Sequence, residues 1–134
     1  MIVDIPHQSE PSHDDVTLLP LQTHLATRNA VFRCYQAGHF SVIEVAGEID
    51  IAVTPAMRDV LGAARSTQVV FDLRHVTFMD ASGLGVLAEA WGKAKISGGS
   101  VTLVGPLQRV RRLLEVTQLD AVLPVYDTVT EATN

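Results

Sequence analysis

One cysteine stands among 134 residues, aromatic side chains make up only 5% of them, and no apolar run approaches the ~18 residues of a membrane span. The lone Cys34 excludes an intramolecular disulfide framework and fits a reducing compartment. Residues 1–8 carry Asp4 where a secretory leader would have a positive start and an apolar stretch, so the expectation is a cytoplasmic, soluble protein without membrane insertion. Basic charge is scarce as well. Residues 1–27 hold Asp4, Glu10, Asp14 and Asp15 with no Lys or Arg, which leaves only -1 of the chain's net charge of -5 for the remainder. A nearly neutral body behind an acidic segment has no excess of cations to displace counterions from phosphates, so direct nucleic-acid binding is not expected.

What is present suits one domain of ~100 to 150 residues, large enough to bury roughly two thirds of its unfolded surface. Residues 1–28 are rich in Pro, Ser, His and acid and read as a flexible acidic tail, in which only residues 16–21 have apolar surface to pack. Residues 29–134 read as the folded domain. Residues 31–36 and 41–47 have strand length and are joined at Ala37-Gly38-His39, a hairpin with glycine in the turn. Thr54 before Pro55 predicts a helix N-cap, and Met57, Val60, Leu61 and Ala64 repeat at helical spacing. Consecutive Val69, Val70 and Phe71 predict a strand over 68–73 covered on both faces.

A turn at Asp80-Ala81-Ser82-Gly83 then opens a second helix to about residue 96, which Gly98-Gly99 ends. Residues 100–104 form the next strand. Gly105-Pro106 opens a third helix with Leu107, Val110, Leu113 and Leu114 on one stripe, and residues 121–126 close the sheet as an edge strand because Pro124 cannot donate to a ladder. Asp127 can cap a last short helix. Strands alternating with helices imply parallel crossovers, so the expected fold is α/β: a mixed sheet of about five strands with an opening antiparallel hairpin and three to four helices.

Right-handed crossovers bring the C-terminal ends of parallel strands to one rim, where open α/β sheets bind. Residues 47–50 and 80–83 should be neighbours there. Ser82 has two readings: an N-cap that accepts from the first-turn amides, or a phosphoacceptor whose phosphate would meet those amides and the positive helix end. Ala81, Gly83 and Gly85 either leave the backbone open to a partner or allow helix and sheet to pack closely.

Other chemistry has little support. Gly83-Leu84-Gly85-Val86-Leu87-Ala88 fits a dinucleotide fingerprint, but the following strand ends in Val104-Gly105-Pro106 without the acid that would hold a ribose. Ser82 lies in no nucleophile elbow, and His7, His13, His24, His39 and His75 lack metal-ligand spacing. No catalytic residue, metal or cofactor is therefore expected, and the chain reads as a non-enzyme. Arg109, Arg111 and Arg112 form either an anion patch or a solvated helix face, and Trp91 is expected in the core or half-buried.

Gly47-Glu48-Ile49-Asp50 ahead of a Thr-Pro helix, Val70-Phe71-Asp72-Leu73, Phe78-Met79-Asp80-Ala81-Ser82-Gly83-Leu84-Gly85 and Leu123-Pro124-Val125-Tyr126-Asp127 together resemble a STAS domain of the anti-sigma factor antagonist type, over residues 30–132. The resemblance implies a bacterial protein that binds an anti-sigma factor with serine kinase activity, thereby releasing a sigma factor for transcription. Such a kinase uses ATP to phosphorylate the turn serine and switch the antagonist off, and a serine phosphatase restores it. Ser82 matches that serine, and Asp50, Asp80, Ala81, Gly83, Leu84 and Gly85 match the surrounding partner contacts. Ala81 stands where some members carry a second serine, and the 28-residue tail departs from the compact family pattern. The resemblance is also compatible with a homodimer, and with an alternative role as the accessory subunit of a lipid-transport complex or a signalling scaffold.

Overall fold

The computed structural model describes residues 29–134 and, as backbone only, two short strands before them, β1 (Val16–Leu18) and β2 (His24–Ala26). Strands β3 (Ala30–Ala37) and β4 (Phe40–Ile49) form the opening hairpin, with Ala37 opposite Phe40 across Gly38-His39. Then follow α1 (Thr54–Gly62), β5 (Gln68–Met79), α2 (Ala81–Ser97), β6 (Ser100–Val104), α3 (Gln108–Val116), a 3-10 turn at Leu119–Ala121, β7 (Val125–Tyr126) and α4 (Val129–Ala132). The sheet order is β1-β3-β4-β5-β6-β7, with β2 also on β3; β4 to β7 are parallel neighbours and the earlier pairs antiparallel. The mixed α/β sheet and the four helices among the described residues agree with the sequence reading. The segment read as a flexible tail supplies β1 and β2, antiparallel to β3; the rest of it lies outside the described residues.

Period-two alternation sorts the sheet into two faces. Phe32, Cys34, Ile43, Val45, Phe71, Leu73 and Leu103 turn toward the helices and meet Met57 and Val60 of α1, Leu84 and Leu87 of α2, and Val110 and Leu114 of α3. Burial there pushes the Cys34 thiol up to about 12, so it packs as an inert apolar group. The opposite face is polar in its centre. Arg33 is wholly buried, 3.0 Å from Glu44 and stacked over the Tyr35 ring; Asp72, also buried, is bridged by Arg74 at 2.9 and 2.7 Å. Burial raises the Glu44 carboxyl against the pull of Arg33. Val42, Val70 and Val104 fill the rest of that face beneath Ala132 of α4. Val69, Val70 and Phe71 are all buried because helices cover one side and α4 the other.

Several boundaries differ from the sequence reading. Strand β5 runs to Met79 because Val76 and Met79 turn inward again beyond a register shift between Glu44 and Ala46, an irregularity that breaks the visible alternation. Helix α1 includes Thr54 instead of being capped by it; the hydroxyl donates to the Ile51 carbonyl at 3.2 Å. Of residues 121–126 only Val125–Tyr126 pair with β6, as the edge strand that Pro124 demanded. Thr128, not Asp127, caps α4, in a reciprocal box with Glu131. Leu107 stands at the cap position of α3 and is exposed, so the buried stripe reduces to Val110 and Leu114.

Two glycines make contrasting demands. Gly47 has φ 111, and a Cβ there would lie 2.1 Å from the Asn29 carbonyl oxygen; helical Gly62 meets nothing within 4 Å. Gly47→Ala should destabilise the domain by more than ~2 kcal/mol, whereas Gly62→Ala should be neutral or stabilise it by up to ~1 kcal/mol. Urea denaturation of both variants checks the contrast; equal effects would contradict it.

Candidate functional site

Parallel pairing of Ile49 with Met79 brings the ends of β4 and β5 to the same rim, and the Asp80 N–H donates to the Ile49 carbonyl at 3.1 Å. Two acidic turns therefore leave the sheet side by side. In the first, Asp50 Oδ1 accepts from the Ala52 N–H at 3.0 Å, and the Asp50 carbonyl accepts from Val53 and Thr54 to start α1. In the second, Asp80 Oδ1 accepts from Ser82 N–H at 2.9 Å and Gly83 N–H at 3.4 Å, while its carbonyl accepts from Gly83 and Leu84.

Asp80 is thus the N-cap of α2, and Ser82 sits inside the first turn. This corrects the reading of Ser82 as a cap. Its half-buried hydroxyl instead donates to Asp80 Oδ1 at 2.5 Å. That hydroxyl, followed by the amides of Gly83 and Ser82, holds the Asp80 carboxyl below the usual carboxylate range. The amides of Ser82, Gly83 and Leu84 already have acceptors, so they are not free for a phosphate as the sequence suggested.

The small residues divide. A Cβ on Gly83 would lie 2.7 Å from Met79 and 2.9 Å from Ile49, so Gly83 lets α2 pack on the sheet; a Cβ on Gly85 would meet nothing. Leu84 is a core residue, and Ala81 is exposed. Gly83 and Leu84 position the turn from beneath, while Asp50, Asp80, Ala81, Ser82 and Gly85 keep solvent access. The rim also bears two exposed apolar side chains to which the sequence reading gave no functional role, Ile51 at 76% exposure and Phe78 at 40%; Phe78 entered that reading only as part of the motif string. The signal was weak, because an apolar residue at or just beyond a strand end looks like core until the topology shows that no described residue covers it.

Residues 32–132 match the STAS domain. The chain belongs to the STAS domain family. Among curated relatives of this STAS protein, the anti-sigma-B factor antagonist of Bacillus subtilis is 32% identical over 85 residues, spanning 62% of this chain and 78% of the relative. The anti-sigma F factor antagonist of Paenibacillus polymyxa is 27% identical over 90 residues, 64% of this chain and 77% of the relative. The crystal structure of an anti-sigma factor antagonist from Mycobacterium paratuberculosis superposes with a TM-score of 0.72 at 29% identity, covering 81% of this chain and 96% of that one. The resemblance read from the motifs is therefore a family relationship.

Elsewhere in the STAS domain, Arg109 and Arg112 are exposed on α3 and Arg111 and Trp91 are half-buried, while His39 and His75 are exposed. No helix among the described residues is long and apolar enough to cross a membrane.

Removing the cap as Asp80→Ala should lower stability by about 1 kcal/mol, whereas Asp80→Asn, which keeps an acceptor, should stay near the native value. Because the folded-state pKa of Asp80 is depressed, its contribution is complete above the ordinary carboxylate range and is lost as pH falls through the lowered value. Thermal melts of the native chain and Asp80→Ala between about pH 7 and pH 3 should show the gap narrowing in acid. A gap that widens would overturn the assignment.

Proposed function

We propose that this STAS protein is an anti-sigma factor antagonist: it binds an anti-sigma factor with serine kinase activity through the rim around Ser82 and so releases a sigma factor. Phosphorylation of Ser82 by that partner switches it off, a serine phosphatase restores it, and the chain performs no catalysis itself. The observation that carries the reading is the setting of Ser82, a hydroxyl bonded to a carboxylate in the first turn of α2, on a rim whose strand ends also carry solvent-exposed Ile51 and Phe78. The curated relatives' names point the same way.

The switch follows from charge. With its proton donated to Asp80, the partly exposed Ser82 oxygen keeps both lone pairs available as a phosphoryl acceptor. The unmodified hydroxyl can enter an interface without an unpaired charge. A phosphate brings ~1.5 to 2 negative charges to a turn whose amides are taken and whose nearest ionised group is the Asp80 carboxylate. Burying that charge without a new cation costs several kcal/mol, and each ~1.4 kcal/mol is tenfold in affinity. Exposed apolar side chains supply the attraction that this penalty must overcome.

Incubation with the cognate kinase and ATP should add one phosphate, found by mass spectrometry on Ser82 and absent from Ser82→Ala. Since Asp80 caps the helix, Ser82→Ala should change the melting temperature by less than ~3 °C. Continued labelling of Ser82→Ala would refute the site. Ile51→Asp should weaken binding of the anti-sigma factor at least ~30-fold without altering the melt, because it places a charge at an apolar anchor. Unchanged affinity in a titration of that variant would remove this rim from the interface.

A further inference from the structure

A cleft of about 210 Å³ opens between α1 and α2 at the pole of the domain away from Ser82. Ala94 on its wall lies roughly three turns, ~18 Å, along α2 from Ser82. The cleft arises because α1 ends at Gly62 while α2 continues to Ser97, leaving part of the sheet covered on one side only. Leu61, Val69, Ala90, Ala94 and Val101 form its apolar lining. Val69, Ala90, Ala94 and Val101 keep 6, 5, 7 and 4% of their surface, whereas core neighbours such as Phe71, Leu87 and Leu103 keep 0%. The methyl side chains of Ala90 and Ala94 hold the space open; a leucine at either would fill it.

Charge at the mouth is asymmetric. Arg58 bridges both carboxylate oxygens of Glu89 at 3.1 and 2.9 Å, so those two charges cancel. Both serine hydroxyls along the lip already have backbone partners: Ser66 donates to the His39 carbonyl and accepts from the Gln68 N–H, and Ser97 donates to the Lys93 and Ala94 carbonyls. Lys93, exposed one turn beyond Glu89, leaves the mouth with a net positive charge. Lys93 also lies within Coulombic reach of Glu89, and Arg58, Glu89 and Lys93 together leave one net positive charge above an apolar floor, a setting that favours an anion with an apolar body.

We propose that this cleft binds a small monocarboxylate with a compact apolar group, the hydrocarbon resting on Val69, Ala94 and Val101 and the carboxylate meeting Lys93. The space equals roughly seven water volumes of ~30 Å³, room for about six to ten heavy atoms, and falls below the ~300 Å³ at which drug-sized ligand sites begin. A nucleotide is therefore excluded by size. The proposal does not rest on the reading of Ser82, and either stands without the other.

Proton–nitrogen correlation NMR of the full chain, titrated in parallel with hexanoate and hexan-1-amine, tests it. Hexanoate should give saturable shifts of the Leu61, Thr67, Ala90 and Ala94 amides, and hexan-1-amine should need at least roughly tenfold more ligand to produce them. Lys93→Gln, a surface change that leaves the core intact, should raise the hexanoate midpoint roughly tenfold, and Ala94→Leu should abolish saturation. Equal midpoints for the two ligands, an unchanged midpoint in Lys93→Gln, or shifts that never saturate would each overturn the proposal.

Discussion

The carboxylate of Asp80 governs the rim. Its oxygen gathers the Ser82 and Gly83 amides and the Ser82 hydroxyl, while its own N–H ties the turn to the Ile49 carbonyl at the end of β4. One residue therefore starts α2, places the serine and joins the two acidic turns. Each bond alone contributes on the order of 1 kcal/mol, and charge assistance raises that figure. The arrangement is rigid because Gly83, immediately beyond, lets α2 rest against Met79 and Ile49 with no side chain between them.

A modification at such a place needs no change of fold to be felt. The turn stands on the end of the sheet where Ile49, Leu73, Val76 and Met79 are fully buried, and its helix is capped by a group other than the one that would be modified. Replacing the Ser82 proton with a phosphate would remove one short bond and set two anions beside each other on a rim that also bears exposed Ile51 and Phe78. Stability and the proposed docking are thereby separable: Asp80 and Gly83 hold the turn, whereas Ile51, Phe78 and Ser82 are the residues proposed to meet the partner.

Much of this was legible in the sequence, and the parts that were not share a cause. Alternation of strand and helix signals gave the mixed sheet, and the turn around Ser82 stood out by its small residues and by its likeness to the STAS family. The cap was misplaced because Asp and Ser are equally good N-cap types, and only the carbonyl positions that precede α2 decide between them. The length of β5 was hidden by a register shift that interrupts alternation. Strands β1 and β2 depend on the edge of β3 more than on their own composition. The exposure of Ile51 and Phe78, the buried Arg33 beside Glu44, and the cleft beyond the end of α1 are properties of what lies opposite in space, which one-dimensional periodicity does not carry.

The account turns on charge at a single oxygen, so the direct measurement is calorimetric. The anti-sigma factor is titrated with the full chain in its unmodified form and again in its form stoichiometrically phosphorylated on Ser82, with amide spectra recorded for both. The account predicts at least roughly hundredfold weaker binding after phosphorylation, with spectral changes confined to the rim. Equal dissociation constants for the two forms, or a loss of binding accompanied by changes throughout the core, would contradict it.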